Sequence, residues 1–160
     1  MDPATLGRAL DDVFDHALVY HAFTDYMRDY EVIVHLTADP RTGIAPTTLR
    51  YLFRYCVEAR CRTSVPPVTW RASLDERLID HRTGVDLDGY VWGVKWHALY
   101  PGARVVADSA TARSWAEATG LDFHEVVIET NAHVLTLVFS DLRVSELPPG
   151  YRPFTVDRDG

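Results

Sequence analysis

Seven histidines in a chain of 160 residues are the first candidates for chemistry, because imidazole binds divalent metals and exchanges protons near neutral pH. None stands in an HExxH pattern or in the short cysteine–histidine spacing that puts metal ligands on one face, so no metal or cofactor is expected. His124 and His133 flank a hairpin expected over 123–144, with Asn131-Ala132-His133 as its turn and Glu125 and Glu129 close by. A hairpin gathers such groups without a metal. One candidate site is therefore His124, Glu125, Glu129, Asn131 and His133, with Arg54 or Trp96 beside it, suited to a small molecule or to acid–base work.

A second constellation is a stacking platform of Tyr90, Trp92 and Trp96 together with an arginine stripe, Arg50, Arg54 and Arg60. Aromatic faces stack on bases or sugars and guanidinium groups hold phosphates. Against a nucleic-acid partner stands a net charge of −7, which repels a polyanion. Alternating aromatics on a strand are also more often core than platform.

Other signatures fail on their own spacing. Asp86-Leu87-Asp88-Gly89 resembles part of a calcium loop, yet aligning its glycine puts Gly84 at the first ligand position and Lys95 at the last, which excludes an EF-hand. A nuclease pairing an acid two positions before a lysine would need an acid where Gly93 stands. GxSxG, Walker and GxGxxG motifs are absent, so acyl transfer, nucleotide hydrolysis and dinucleotide chemistry have no local support. Carboxylate pairs such as Asp11 and Asp12 read as a solvated surface. The balance is against an enzyme.

The elements that must position these groups follow from periodicity. Leu49, Tyr51, Phe53, Tyr55, Val57, Ala59 and Cys61 alternate with a rank containing Arg50, Arg54, Glu58, Arg60 and Arg62, which predicts one long half-buried strand over 47–63. Leu49, Leu52, Phe53, Cys56 and Val57 also fit a helical face, but unbroken alternation and aromatic content favour the strand. Asp2 and Pro3 open a helix whose Leu6, Leu10, Val13, Phe14, Ala17, Leu18 and His21 keep helical spacing. A strand follows from Tyr26, then a turn around 39–43. Trp70, Leu74 and Leu78 suggest a second helix, residues 90–96 a third strand, and Ser109 and Gly120 the two caps of a third helix.

These elements predict an α+β fold: a single, mostly antiparallel sheet of about five strands with about three helices packed mainly on one face. The other face would carry the arginines. One domain over 1–160, with 148–160 as a tail able to dock through Tyr151, Phe154 and Val156, fits the length and the 47% hydrophobic content. No apolar run reaches the length of a membrane span and no signal-peptide pattern opens the chain, so a cytoplasmic protein is expected. Cys56 and Cys61 should point to opposite faces of one strand, as small core residues without a mutual disulfide. The acidic balance favours basic partners.

With these elements placed, four phrases resemble the YxiG-like family of bacterial proteins: FTDYMRDYE at 23–31, LRYLFRYCVEA at 49–59, DGYVWGVKW at 88–96 and FSDL at 139–142. The likeness spans nearly the whole chain and implies one domain. The family's namesake is associated with toxin and immunity genes, which implies a protein-binding role. The resemblance brings no functional residues. The leading expectation is a non-enzymatic domain that binds a macromolecule, such as a basic toxin in an immunity-like role. The alternative is a small-molecule or enzyme site at the last hairpin.

Overall fold

The computed structural model describes residues 1–11, 13, 16–24, 27–36, 41, 43, 45–72, 97–99 and 101–152, leaving aside the side chains of Thr69, Trp70, Ala72, His97 and Ala98. In chain order the elements are α1 (Pro3–Asp11), β1 (Ala17–Phe23), β2 (Tyr30–Leu36), β3 (Thr47–Arg54), β4 (Glu58–Thr63), α2 (Pro67–Ala72), β5 (His97–Ala98), β6 (Gly102–Val105), α3 (Ala110–Thr119), β7 (His124–Glu129), β8 (His133–Phe139) and β9 (Asp141–Glu146). They form an α+β molecule with two antiparallel sheets. The first has the order β5-β1-β2-β3-β9 and the second β4-β8-β7-β6.

The single sheet with helices on one face is thus corrected to a two-sheet arrangement. Its cause lies in the stretch read as one strand. Residues 47–54 pair with β9 in the first sheet, while 58–63 pair with β8 in the second. The register sets Arg54 opposite Asp141 and Glu58 opposite Val138, so 55–57 face only 139–140. This one-residue excess is a β-bulge, which bends a ribbon and sharpens its twist. At the bend Tyr55 takes φ 51°, a left-handed conformation that costs a bulky residue roughly 1–2 kcal/mol. Neighbouring bonds hold it there: Tyr55 N–H donates to Asp29 Oδ1 at 3.0 Å, Cys56 N–H to Arg28 O at 2.8 Å and Ser140 N–H to Arg54 O at 3.1 Å.

The bend also redistributes the predicted ranks. Tyr51 and Phe53 are buried and Ala59 packs against the core, but Tyr55 stands exposed on the corner. Cys56 is buried and Cys61 exposed, both as free thiols, so only Cys56 is a core residue. Burial pushes the Cys56 thiol up to about 11, and its Sγ–H donates to Glu58 O at 3.2 Å.

The core lies between the sheets. Val32, Val34, Tyr51, Phe53 and Leu142 of the first meet Val126, Ile128, Leu135, Leu137 and Phe139 of the second. Phe53 and Phe139 join the two halves edge to face, with ring centroids 4.7 Å apart, a favoured quadrupolar geometry. Leu6 and Leu10 of α1 enter this core, and α1 packs beside β6. Ala112 and Ala116 of α3 instead cover Val57, Phe123 and Val138 on the second sheet. The helices therefore do not share one sheet face.

Helix α1 also ends earlier than its apolar spacing predicts, since Ala17–Phe23 forms β1. The register of β1 against β2 shifts between Leu18 and Tyr20, so Val19 is a bulge. Leu18, His21 and Phe23 then face the core side while Tyr20 does not. Their three-then-two spacing imitates a helical stripe in the sequence. The third helix has the predicted caps: Ser109 Oγ accepts the Ala112 N–H at 3.1 Å, and Gly120 closes it at φ 73°. The strand expected over 90–96 lies outside the described residues, as do Phe154 and Val156 of the tail.

Asp29 is the acceptor on which the corner relies, and its carboxylate is also gripped by Arg28 at 3.1 and 3.3 Å. Burial opposes its ionisation, but the Arg28 and Tyr55 hydrogen bonds outweigh that and hold its pKa below the ordinary 3.8. Asp29→Ala is expected to lower stability by about 1–3 kcal/mol, the worth of the hydrogen bonds its charged carboxylate accepts, measured by urea unfolding at neutral pH. Because the folded pKa is depressed, this contribution is complete above pH 3.8 and fades as pH falls through the lower folded value. The difference between wild type and variant should shrink across that interval.

Candidate functional site

A concavity of about 790 Å³ lies where the start of α1, the β6–α3 connection, one face of α3 and the start of β7 meet. Four carboxylates line it, Asp2, Asp108, Asp122 and Glu125, against two cations, the Arg113 guanidinium and the α-ammonium of Met1. Local folding fixes each. Asp2 caps α1, accepting the Thr5 N–H at 3.0 Å and the Thr5 hydroxyl at 2.5 Å, and the Thr5 hydroxyl is the main reason its pKa lies below the ordinary value. Asp108 sits at φ 53°, a conformation that a short polar side chain tolerates. Ser109 serves two masters: its Oγ caps α3 and its hydroxyl donates to Glu125 Oε2.

His124 lies at the inner wall, with its ring centroid 6.1 Å from that of Phe139. Burial depresses its pKa below 6.5, so the ring is neutral at pH 7 and does not offset the carboxylates. Its Nε2 is sealed from solvent and has no hydrogen-bond partner. The cleft is therefore an acidic concavity with a neutral imidazole in its wall, suited to accepting cationic donors.

The five hairpin residues do not gather in one place. His124 and Glu125 line this cleft, while Glu129, Asn131 and His133 lie at the far end of the β7–β8 pair. At about 3.4 Å per residue the two ends of β7 are on the order of 17 Å apart. There Glu129 Oε2 lies 3.9 Å from Arg104, Asn131 is exposed in the turn, and the His133 backbone closes the turn with Thr130.

The arginine stripe is likewise dispersed. Arg50 is tied to Glu31 at 2.7 Å on the outer side of the first sheet. Arg54 pairs with Asp141 at 3.1 Å and lies 5.2 Å from the Tyr55 ring centroid. Arg60 belongs to the second sheet, where it meets Glu58. Tyr90, Trp92 and Trp96 lie outside the described residues. Among the described residues, no group of three or more His, Cys, Asp or Glu side chains is placed to hold a metal ion, and no helix is long and apolar enough to cross a membrane.

Asp2, Asp108, Ser109 and Asp122 were not singled out by residue chemistry. Asp2 and Ser109 read as helix caps, which they are, but nothing in their spacing shows that two cap regions distant in sequence border one cleft. The Asp108-Ser109 and Asp122–Glu125 segments flank α3, and the β6–β7 pairing, continued by the Val106 N–H donating to Glu125 O at 2.8 Å, brings them together with the packing of α3 on β7.

The architecture defines a small α+β protein with facing antiparallel sheets. The chain matches the model of the YxiG-like protein family over residues 2–157 and belongs to that family. No curated protein and no solved structure matches it significantly.

Two outcomes test this reading of the site. Ser109→Ala should cost about 0.5–2 kcal/mol through loss of the cap, measured by thermal or urea unfolding. Because the folded His124 pKa is lowered, the wild type should lose stability as pH falls from 6.5 through that lower value. Titrating His124→Gln by urea unfolding across this interval should show a shallower slope.

Proposed function

We propose that this YxiG-like chain is a non-enzymatic binding domain whose acidic cleft receives a basic segment of a protein partner. The observation that carries this reading is the charge of the cleft: Asp2, Asp108, Asp122 and Glu125 outnumber Arg113 and the Met1 α-ammonium, with His124 held neutral. A guanidinium or ammonium entering it gains charge-assisted hydrogen bonds, the stronger kind. The concave wall concentrates that field, and the net charge of −7 steers a basic partner toward the molecule.

Acid–base chemistry finds less support. Glu125 is occupied by the Ser109 hydroxyl, His124 Nε2 has no proton-exchanging neighbour within hydrogen-bond reach, and the other hairpin groups lie at the far end of the strands. The immunity-like form of the proposal is neutralisation of a basic toxin surface. The toxin and immunity setting of the family's namesake, together with an acidic cleft, supports it.

Fluorescence anisotropy with labelled nona-arginine tests the recognition chemistry. Binding should be saturable and should weaken by at least tenfold between about 50 and 300 mM salt, as screening shortens the reach of the field. An Asp108→Asn, Asp122→Asn double variant should bind at least tenfold more weakly, about 1.4 kcal/mol, with unchanged circular dichroism. Asparagine tolerates the left-handed backbone at position 108. Equal affinity for wild type and variant, or comparable binding of nona-glutamate, would overturn the proposal.

A further inference from the structure

Resting on the basic-segment reading of the cleft, we infer that the segment carries an apolar anchor as well: its arginines or lysines enter the cleft, and a large apolar residue, set off by a spacer of about three residues, seats on a shoulder made by Trp115 and Leu121 at the end of α3. Both side chains are open to solvent, Trp115 at 39% and Leu121 at 48% exposure. Single exposed apolar residues are ordinary, but these two are tied together. The Thr119 hydroxyl donates to Trp115 O at 2.8 Å and accepts the Leu121 N–H at 3.3 Å, while Gly120 turns the chain at φ 73° with its N–H on Ala116 O. The shoulder is therefore held in place before any partner arrives, which lowers the ordering cost of binding.

One ring joins the shoulder to the cleft. Trp115 lies against Phe123 with ring centroids 6.1 Å apart, and Phe123, itself buried, lines the cleft. Of the α3 residues the cleft takes Ala112, Arg113 and Ala116 but not Trp115. At about 100° per residue Trp115 lies roughly 160° round the helix from Arg113, so shoulder and cleft occupy opposite flanks. They meet past the C-terminal end of α3, where Leu121 is followed directly by Asp122 of the cleft. A helix about 10–12 Å thick is crossed by roughly three extended residues at about 3.3–3.6 Å each, which sets the spacer.

Charge decides what crosses there. The path starts among four carboxylates and passes the negative end of the α3 dipole, whose last turn holds no basic side chain. It finishes at Trp115, whose neighbours on its own helix, Thr111, Ala118 and Thr119, are uncharged. An acidic peptide or an anionic lipid surface is repelled along this route. A segment that is basic first and apolar last matches it throughout, and an exposed tryptophan beside a charged cleft is the kind of residue that anchors protein partners.

Fluorescence anisotropy with two labelled peptides, Arg-Arg-Arg-Arg-Gly-Ser-Gly-Trp and the same peptide ending in Ser, tests the shoulder. The tryptophan peptide should bind the wild type about fivefold or more tightly than the serine peptide. Trp115→Ala should remove most of that advantage and Leu121→Ser should reduce it, each with unchanged circular dichroism; if the first variant misfolds, the second carries the test. The Asp108→Asn, Asp122→Asn double variant should weaken both peptides alike. Equal affinity of the two peptides for the wild type, or an advantage that survives both shoulder variants, overturns the shoulder while leaving the cleft reading intact. Undiminished binding of both peptides to the double variant overturns the cleft reading, and the shoulder with it. Concentration-dependent self-association that Trp115→Ala abolishes in sedimentation velocity would put a second copy of the chain on the shoulder and also overturn the inference.

Discussion

The molecule depends on a corner in which one ribbon of chain serves two sheets. The pairing of 47–63 with 133–146 is continuous except at one point, where Tyr55 to Val57 oppose only Phe139 and Ser140. The extra residue turns the ribbon, so β3 and β9 close one side of the core while β4 and β8 close the other. Tyr55 bears the conformational cost in its left-handed backbone, and Asp29 with the Arg28 carbonyl secures the bend from the β1–β2 connection. The aromatic contact between Phe53 and Phe139 lies on this same ribbon and joins the sheets across the core.

Much of the local structure was legible because it follows from short-range rules. The caps of α3, the alternation of Tyr51 and Phe53, and the β7–β8 turn rest on side chains close in sequence. The two-sheet arrangement was not legible, since strict alternation is preserved on both sides of the bulge and nothing in the residue types of Tyr55, Cys56 and Val57 announces a bend. At Val19 the reverse occurred: a bulge shifted the inward positions of β1 into a spacing that mimics a helix. The hairpin histidines illustrate the limit for sites. Sequence proximity put them in one hairpin, but strand length separates its two ends.

Burial and pairing decide where charge remains available. Arg50 and Arg54, prominent in the sequence, are matched by Glu31 and Asp141, so their charge is largely absorbed within the fold. The carboxylates around α3 lack an equal number of cations, and depression of the His124 pKa removes another source of positive charge. The contrast arises from topology rather than composition. Strands set Arg54 directly opposite Asp141 and Arg50 diagonally across from Glu31, whereas loops and helix ends bring acids together at the cleft.

The ribbon has a kinetic consequence. Arg54 and Asp141, paired across it, are 87 positions apart, so each sheet must wait for a segment from the second half of the chain. Such non-local closure carries a loop-entropy cost before any packing rewards it, and folding slows as mean contact separation rises. During synthesis β3 and β4 leave the ribosome well before β8 and β9 can shield their edges. In that interval the apolar side of the nascent ribbon is exposed to collapse or to chaperones, and the last strands act as the clasp that ends it.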